Sequence, residues 1–215
     1  MITHSYFWKL RKNFLVELCC FGLALFFSHT LKAETPPPQE ALEAFLTTIR
    51  SMEFPVKDGS RHERLVQQAN AFLDLEAMAK AALREHWEEA TSEGQKIFMD
   101  LMWKLIQRSA YPRSHEFLGG YRVIYPEVRQ AGNGFEVHSV VKHDEEALDA
   151  KVVYHLYQLN NQWRIDDVIL DDVSMIEDMS YQFDKIIRES SFSGLLKRME
   201  ERLDQTGQES ESQKA

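Results

Sequence analysis

Residues 150–171 read AKVVYHLYQLNNQWRIDDVILD, and this stretch decides the fold. Two runs rich in β-branched and aromatic residues flank the dipeptide Asn160-Asn161. Apolar side chains recur at every second position of each run, which is the period of a strand with a buried face. Asparagine adopts the positive φ values that a two-residue hairpin turn requires. The stretch therefore predicts two antiparallel strands, residues 150–159 and 162–171.

The preceding segment repeats this arrangement. Residues 121–130 and 135–143 have the same alternating pattern, and Gly132-Asn133-Gly134 supplies a turn between them. Strands that are joined by turns this short pair in antiparallel fashion. We therefore expect a four-stranded antiparallel sheet.

Helical spacing precedes the predicted sheet. Apolar residues recur in steps of three and four over residues 42–52. A longer helix begins at Thr91 or Ser92, where Ser92 and Gln95 form a capping box, and runs to about Arg108. The spacing predicts amphipathic helices that bury one face.

Helical spacing returns after the sheet. Ser174 and Glu177 form a second capping box ahead of an amphipathic segment, and residues 195–203 carry another apolar stripe. Asp74, before the sheet, is a further predicted N-cap. Helices, then a sheet, then helices indicate an α+β domain packed from both ends of the chain.

Composition excludes several functional classes. The chain has 215 residues, 44% of them hydrophobic, and 25 basic against 34 acidic side chains, for a net charge of -9. A nucleic-acid partner is not expected, because Lys and Arg supply most of the affinity for phosphates. Cys19 and Cys20 are the two cysteines, so no disulfide framework crosses the body of the chain.

The amino terminus predicts export. Three basic residues between positions 9 and 12 precede an apolar segment, residues 14–27, and Ala33 offers a small residue for cleavage. We expect a signal peptide over residues 1–33, with an uncleaved anchor as the alternative. A domain over residues 34–204 and a disordered polar tail over residues 205–215 would follow. A mature chain without cysteine favours a bacterial periplasm over a eukaryotic secretory route.

Residues that could carry chemistry are few. The sequence has none of the common motifs for zinc proteases, phosphate loops, nucleophile elbows or dinucleotide turns, and no metal or cofactor is expected. His86 and Glu89 have ligand-like spacing, yet two ligands do not complete a metal shell. His138 and His155 would act as bases only if they faced a cavity. Four aspartates crowd the end of the last strand and suit either an acidic site or turn and capping bonds: Asp166, Asp167, Asp171 and Asp172.

The order of residues over positions 74–203 resembles the MlaC or toluene-tolerance (Ttg2) family. The most specific segment is Trp163 to Met175, followed by Gln182-Phe183. Further matching residues are Leu73-Asp74-Leu75, Met78-Ala79, Ala82-Leu83, Trp87, Thr91, Phe98, Tyr111, Tyr121, Tyr125-Pro126, Ile186-Ile187 and Leu195-Leu196. This chain departs from the family at Arg84 and Asp172, where glycine is common, and at Ser92, where proline is usual.

The resemblance implies a periplasmic phospholipid-binding protein and no enzyme. Its fold would be a curved, NTF2-like sheet that encloses an apolar cavity with its helices. Its partners would be a phospholipid, an inner-membrane ABC transporter complex with a substrate-binding ring, and an outer-membrane lipoprotein complex. Related members belong to hopanoid pathways, so the ligand need not be a glycerophospholipid.

Periodicity and the resemblance together suggest a lipid-binding wall. Two acyl chains have roughly 30 methylenes, whose exposure to water costs about 25 kcal/mol, so the cavity must be on the order of 1,000 Å³. Ser174 and Asp167 are assigned structural roles. An enzyme that uses Asp167 and His155 in the cavity, and an interaction module with a filled core, are the alternatives. The predicted wall consists of Met102, Leu105, Ile106, Tyr111, Val137, Val141, Val152, Tyr154, Trp163 and Ile165.

Overall fold

Helices come first, an antiparallel sheet follows, and two helices close the chain, which is the α+β architecture that the sequence predicts. The computed structural model describes residues 35–142 and 149–212. The predicted signal peptide over residues 1–33 lies outside the described residues. Within the two described ranges, none of the helices combines the length and hydropathy needed to cross a membrane.

The helices ahead of the sheet are short, and capping residues separate several of them. The Asp74 carboxylate accepts a hydrogen bond from Ala77 N at 2.9 Å, as the sequence predicts. These helices are α1 (Pro38–Arg50), α2 (Gly59–Asn70), α3 (Leu75–Leu83), α4 (Glu85–Glu89), α5 (Ser92–Leu105) and α6 (Tyr111–Leu118).

The predicted capping box at the start of α5 is wrong. Thr91 is the N-cap, and its hydroxyl accepts from Gly94 N at 3.1 Å. Thr91 has extended backbone angles, whereas Ser92 is already helical, and only an extended residue can turn its side chain onto the first free N–H groups. Gln95 instead donates to Trp87 O at 2.8 Å, which ties α5 to α4.

The sequence predicts that the long helix ends near Arg108. Instead, α5 continues into a π-helical turn, Ile106–Ala110, which joins it to α6. Pro112 lies in the first turn of α6. Its ring displaces the carbonyl four residues earlier, and it has no N–H to donate. The helix therefore widens before Pro112 and continues beyond it.

The sheet has five strands in the order β1-β2-β3-β4-β5, and each neighbouring pair is antiparallel. Asn160 and Asn161 have φ values of 52° and 60°, as a two-residue hairpin turn requires. Register shifts in β1 and at the β3–β4 pair mark bulges, which bend strands. The strands are β1 (Arg122–Ala131), β2 (Gly134–Lys142), β3 (Ala150–Leu159), β4 (Gln162–Leu170) and β5 (Val173–Ser174).

The sequence predicts four strands, and this prediction is wrong because the sheet has a short fifth strand, β5. Asp171 and Asp172 adopt φ values of 48° and 67°, and this tight turn folds Val173 back against Leu170. Asp172 therefore has the positive φ that glycine adopts most easily. This agrees with the glycine that is common at this position in the family that the sequence resembles.

Two hydrophobic clusters form the interior. The sheet cluster unites the inner face of the sheet with α1, α2 and α6, and it includes Leu42, Ile49, Leu118, Val137 and Ile165. The helical cluster unites α3, α4 and α5 with the last two helices, and it includes Leu83, Phe98, Leu101 and Leu195. Ile106, at the start of the π-helical turn, packs against both clusters.

The chain closes with α7 (Met175–Glu189) and α8 (Phe192–Ser212). Ser174 caps α7 by accepting from Glu177 N at 3.0 Å. The helical backbone of α8 continues to Ser212, well past Gln205, where the sequence predicts a disordered tail. Thr206 is 7% exposed, and its hydroxyl donates to Leu203 O at 2.8 Å. This bond lies within α8 itself, and the disordered tail stays a prediction.

Candidate functional site: an apolar sheet face with a polar rim

Six of the ten predicted wall residues lie on one face of the sheet. The register pairs Val137 with Tyr154, and the alternation of the strands turns both toward the helices. All six are at most 7% exposed, and all belong to the sheet cluster. The six are Val137, Val141, Val152, Tyr154, Trp163 and Ile165.

Two aromatic members of the wall, Tyr111 and Trp163, have hydrogen-bond partners for their polar atoms. Tyr111, which is 3% exposed, donates its hydroxyl to Asn70 Oδ1 at 2.7 Å. Burial raises the pKa of Tyr111 well above its usual value, so the phenol stays a donor. Trp163 Nε1 donates to Pro36 O at 2.6 Å. These bonds link α2 to α6 and hold the segment before α1 against β4.

The predicted helical side of the wall is divided. Met102 and Leu105 pack in the helical cluster, apart from the sheet face, and Ile106 reaches both clusters. Helix α1 contacts this face of the sheet through Leu42 and its apolar neighbours, and α2 and α6 belong to the same cluster. The apolar stripe over residues 42–52 was the available signal, but periodicity does not reveal which surface a stripe contacts.

The wall side chains pack among apolar neighbours. Three surface depressions, of about 450, 490 and 200 Å³, are lined by other residues. The first lies between α5 and α8, the second beside β4 and α7, and the third beside α4 and α7. An enclosed apolar cavity between sheet and helices stays a prediction.

A polar group lies at the edge of this apolar face. Arg50 ends α1, and its guanidinium donates from Nε to Leu118 O at 3.3 Å and from Nη2 to Tyr121 O at 3.0 Å. Burial raises the pKa of Tyr125 to about 12, with Glu43 adding to the rise and Arg50 opposing it. Burial likewise raises the pKa of Tyr154. Both phenols are therefore neutral donors at physiological pH.

The predicted catalytic candidates lie away from the apolar face. His155 and Asp166 line the second depression together with Asp167 and Glu136, and none of the wall residues lines it. His155 Nδ1 is 2.5 Å from Asp166 Oδ1, and its Nε2 is 3.3 Å from Ala131 O. Burial alone would lower the pKa of His155, but the bond to Asp166 raises it above its usual value.

Asp167 uses both carboxylate oxygens to join β4 to α7. Its Oδ1 accepts from Val168 N at 2.8 Å and Ile176 N at 3.2 Å, and its Oδ2 accepts from Ser174 Oγ at 2.6 Å. His138, the other predicted base, has its Nε2 3.2 Å from Glu136 Oε2. His155, Asp166 and Asp167, which the enzyme alternative would place in the cavity, therefore line the second depression and not the apolar face.

One cluster among the described residues has the donor types of a metal site. Glu85, His86 and Asp184 place their ligand atoms within 4.8 Å of one another. His86 Nε2 is 3.0 Å from Asp184 Oδ1, and Arg188 Nε donates to the same oxygen at 2.9 Å. The bond to Asp184 raises the pKa of His86. The Arg188 cation already compensates this carboxylate, and the cluster is well explained as a link between α4 and α7.

Comparisons with known proteins find a matching family and a solved structure with a similar fold. A family model described as MlaC protein matches residues 39–201. A phospholipid-binding protein from Ralstonia solanacearum, solved in complex with a phospholipid, superposes with a TM-score of 0.65 at 22% identity. The superposition covers 79% of this chain and 96% of that one. No curated protein matches this chain.

Proposed function

The chain belongs to the MlaC protein family, and from this premise we propose that it is a periplasmic lipid carrier. It would hold the acyl chains of a phospholipid between the inner face of the sheet and the helices. It would move this lipid between an inner-membrane ABC transporter complex with a substrate-binding ring and an outer-membrane lipoprotein complex. The observation that carries the proposal is the family match, supported by a similar fold that binds a phospholipid.

The sheet cluster has the surface that acyl chains need. Its wall residues are aliphatic or aromatic, and the polar ends of Tyr111 and Trp163 are bonded at the rim. Two tails with roughly 30 methylenes cost about 25 kcal/mol to expose, so a carrier must enclose nearly all of both. We propose that the helices over the sheet, α1 and α6, move outward to admit them.

The division of the interior fits such a movement. Among the described residues that form the two clusters, Ile106 alone is shared, so α1 and α6 could separate from the strands without exposing Phe98 or Leu101. Ile106 and the π-helical turn lie between the clusters. A π-helical turn interrupts regular hydrogen bonding, and such turns often mark functional positions in helices. We propose that this turn is the hinge.

A hopanoid or related lipid is the second candidate ligand, because an apolar wall of this kind does not select among hydrocarbon shapes. Catalysis by Asp167 and His155 in the lipid cavity is disfavoured, since Asp167 has three hydrogen-bond partners and His155 lines a surface depression that contains none of the wall residues.

Substitutions on the wall test the proposal. Val152 is 3% exposed and lies in the sheet cluster, so in Val152→Trp the indole should occupy the lipid volume. The variant should retain its circular dichroism and melting temperature and carry less lipid, as measured by native mass spectrometry and organic extraction. Val173→Trp is the matched control, because Val173 is 55% exposed.

A filled interior gives the opposite result. Overpacking a closed core costs about 1 to 3 kcal/mol. Two results together would exclude the carrier and favour the interaction module. The wild-type protein would carry no lipid, and Val152→Trp would lower the melting temperature. Unchanged lipid occupancy in a stable Val152→Trp protein would place the lipid elsewhere.

A further inference from the structure

We propose that Arg50, Tyr125 and Tyr154 form a binding site for the phosphate diester of a lipid headgroup. The inference rests on the proposed function and adds the polar half of the ligand to it. All three residues belong to, or border, the sheet cluster. A phosphate that they held would therefore lie directly beside the wall that takes the tails.

Arg50 supplies a charge that is already positioned. Two of its N–H groups donate to Leu118 O and Tyr121 O, where α6 ends and the chain enters β1. A guanidinium has five N–H groups, so three of them stay available. Two backbone carbonyls fix its plane, and a guanidinium that is fixed in this way loses little side-chain freedom on binding an anion. Arginine also matches phosphate oxygens in a bidentate arrangement.

The two tyrosines supply neutral donors. Tyr154 is 7% exposed, and no group among the described residues hydrogen-bonds its hydroxyl. The half-buried Tyr125 hydroxyl likewise has no partner in that part of the chain. Among the described residues, His62 Nδ1 is the one fully buried side-chain polar atom without a partner, so the unpartnered Tyr154 hydroxyl is not sealed off and reaches space that a ligand or water can occupy. Tyr111, in the same cluster, shows the ordinary case, because its hydroxyl bonds Asn70.

Register and electrostatics bring the three residues together. Tyr154 lies opposite Val137 on β2, and Tyr125 lies in the β1 bulge that faces the next inward position, Ser139. Electrostatics agrees with this placement, because Tyr125 adds to the raised pKa of Tyr154 and the charge of Arg50 opposes the rise of both pKa values. Ser139 is 2% exposed, so a small side chain separates the tyrosines on this face.

One nearby charge opposes an anion. The carboxylate of Glu43, on α1, acts on Tyr125 and would repel a phosphate. A diester carries a single negative charge, whereas free phosphate carries nearly two at neutral pH. Glu43 therefore favours a diester over inorganic phosphate. Removing the charge of Glu43 should therefore strengthen binding of the phospholipid, which provides a further test of the site.

The experiment is a competition between two lipids with identical tails. The protein is equilibrated with vesicles that contain phosphatidylglycerol and diacylglycerol, and the bound lipids are extracted and quantified by mass spectrometry. The ratio in the protein is divided by the ratio in the vesicles. Wild-type protein should favour the phospholipid by about tenfold or more, as expected for hydrogen bonds to a charged group.

Phenylalanine variants isolate the hydroxyls. Tyr125→Phe with Tyr154→Phe removes two hydroxyls without changing the packing, so the fold should be retained. The preference should fall about tenfold, with diacylglycerol uptake unchanged. Arg50→Gln should lower the preference as well, and Glu43→Gln should raise it. Arg198→Gln on α8, an exposed arginine, is the control and should leave the preference unchanged.

Different failures are distinguishable. If neither lipid binds, the proposed function fails and this inference fails with it. If both lipids bind equally, or if the phenylalanine variant keeps the preference, the carrier stands and the phosphate site is overturned. A protein that binds inorganic phosphate in calorimetry but does not distinguish the two lipids would also overturn it, since the site would then serve the free ion.

Discussion

Arg84 lies between α3 and α4 with φ 49° and ψ -125°, a region that only glycine enters easily. The hydrogen bonds from Arg84 N to Lys80 O at 2.8 Å and from Trp87 N to Arg84 O at 3.1 Å hold it there. A side chain in this region costs about 1 to 3 kcal/mol. Glycine would remove that cost but lose about 0.5 to 1 kcal/mol through its greater freedom in the unfolded chain.

We therefore predict that Arg84→Gly stabilises the protein by about 1 kcal/mol, which raises the melting temperature by about 2 to 4 °C. Urea unfolding followed by tryptophan fluorescence measures the change, with an unchanged slope showing that unfolding exposes the same surface. Arg84→Ala is the control, because alanine keeps the Cβ that causes the strain. A midpoint for Arg84→Gly at or below that of Arg84→Ala would refute the assignment of strain.

Other contacts give predictions of known sign. Asp167→Ala should destabilise the protein by about 3 kcal/mol in urea unfolding, because it removes three hydrogen bonds to a carboxylate, whereas exposed Asp204→Ala should change stability by less than about 0.5 kcal/mol. Gly134→Ala should cost about 3 kcal/mol, since its Cβ would lie 2.3 Å from Leu156 O, and Gly59→Ala, with no atom within 4 Å of an added Cβ, should be nearly neutral in the same assay. Trp163→Phe should lower stability by about 1 kcal/mol through loss of the bond to Pro36 O. The raised pKa of His155 contributes stability that is present below the pKa of an unfolded histidine and is lost as pH rises through the folded value. Asp166→Asn should therefore flatten the fall in stability as pH rises above the pKa of an unfolded histidine, about 6.5, and the difference from wild type isolates this pair from His86, whose pKa is raised as well.

The sheet was predictable because local chemistry determines most of it. Asn160-Asn161 requires a tight hairpin, and the alternation around it sets which residues face inward. The fifth strand escaped prediction because it depends on Asp171 and Asp172 both adopting positive φ. Sequence offers no signal for that conformation in aspartate beyond a general preference for turns.

The helical side of the site was less predictable. Periodicity identified apolar stripes on both α1 and α5, and these stripes look alike in sequence. Only the tertiary structure shows that α1 covers the sheet while Met102 and Leu105 pack against the closing helices. Arg50 carried no signal, because a lone arginine at a helix end is common in any domain, and Tyr125 was identified as a residue that matches the family but not as part of the wall.

For the proposed carrier, the polar residues at the rim determine selectivity. A bilayer is as apolar as the wall formed by Val137, Val141 and Val152, so moving the tails between them changes the free energy little. Longer tails should therefore change the distribution of the lipid between vesicle and protein only when the tails extend beyond the end of the wall. At the proposed site the headgroup, in contrast, would exchange water for the donors of Arg50, Tyr125 and Tyr154 and would be repelled by the charge of Glu43. In the proposed carrier, lipid choice would then depend on Arg50, Tyr125, Tyr154 and Glu43, and docking partners would only have to open the helices to release the tails.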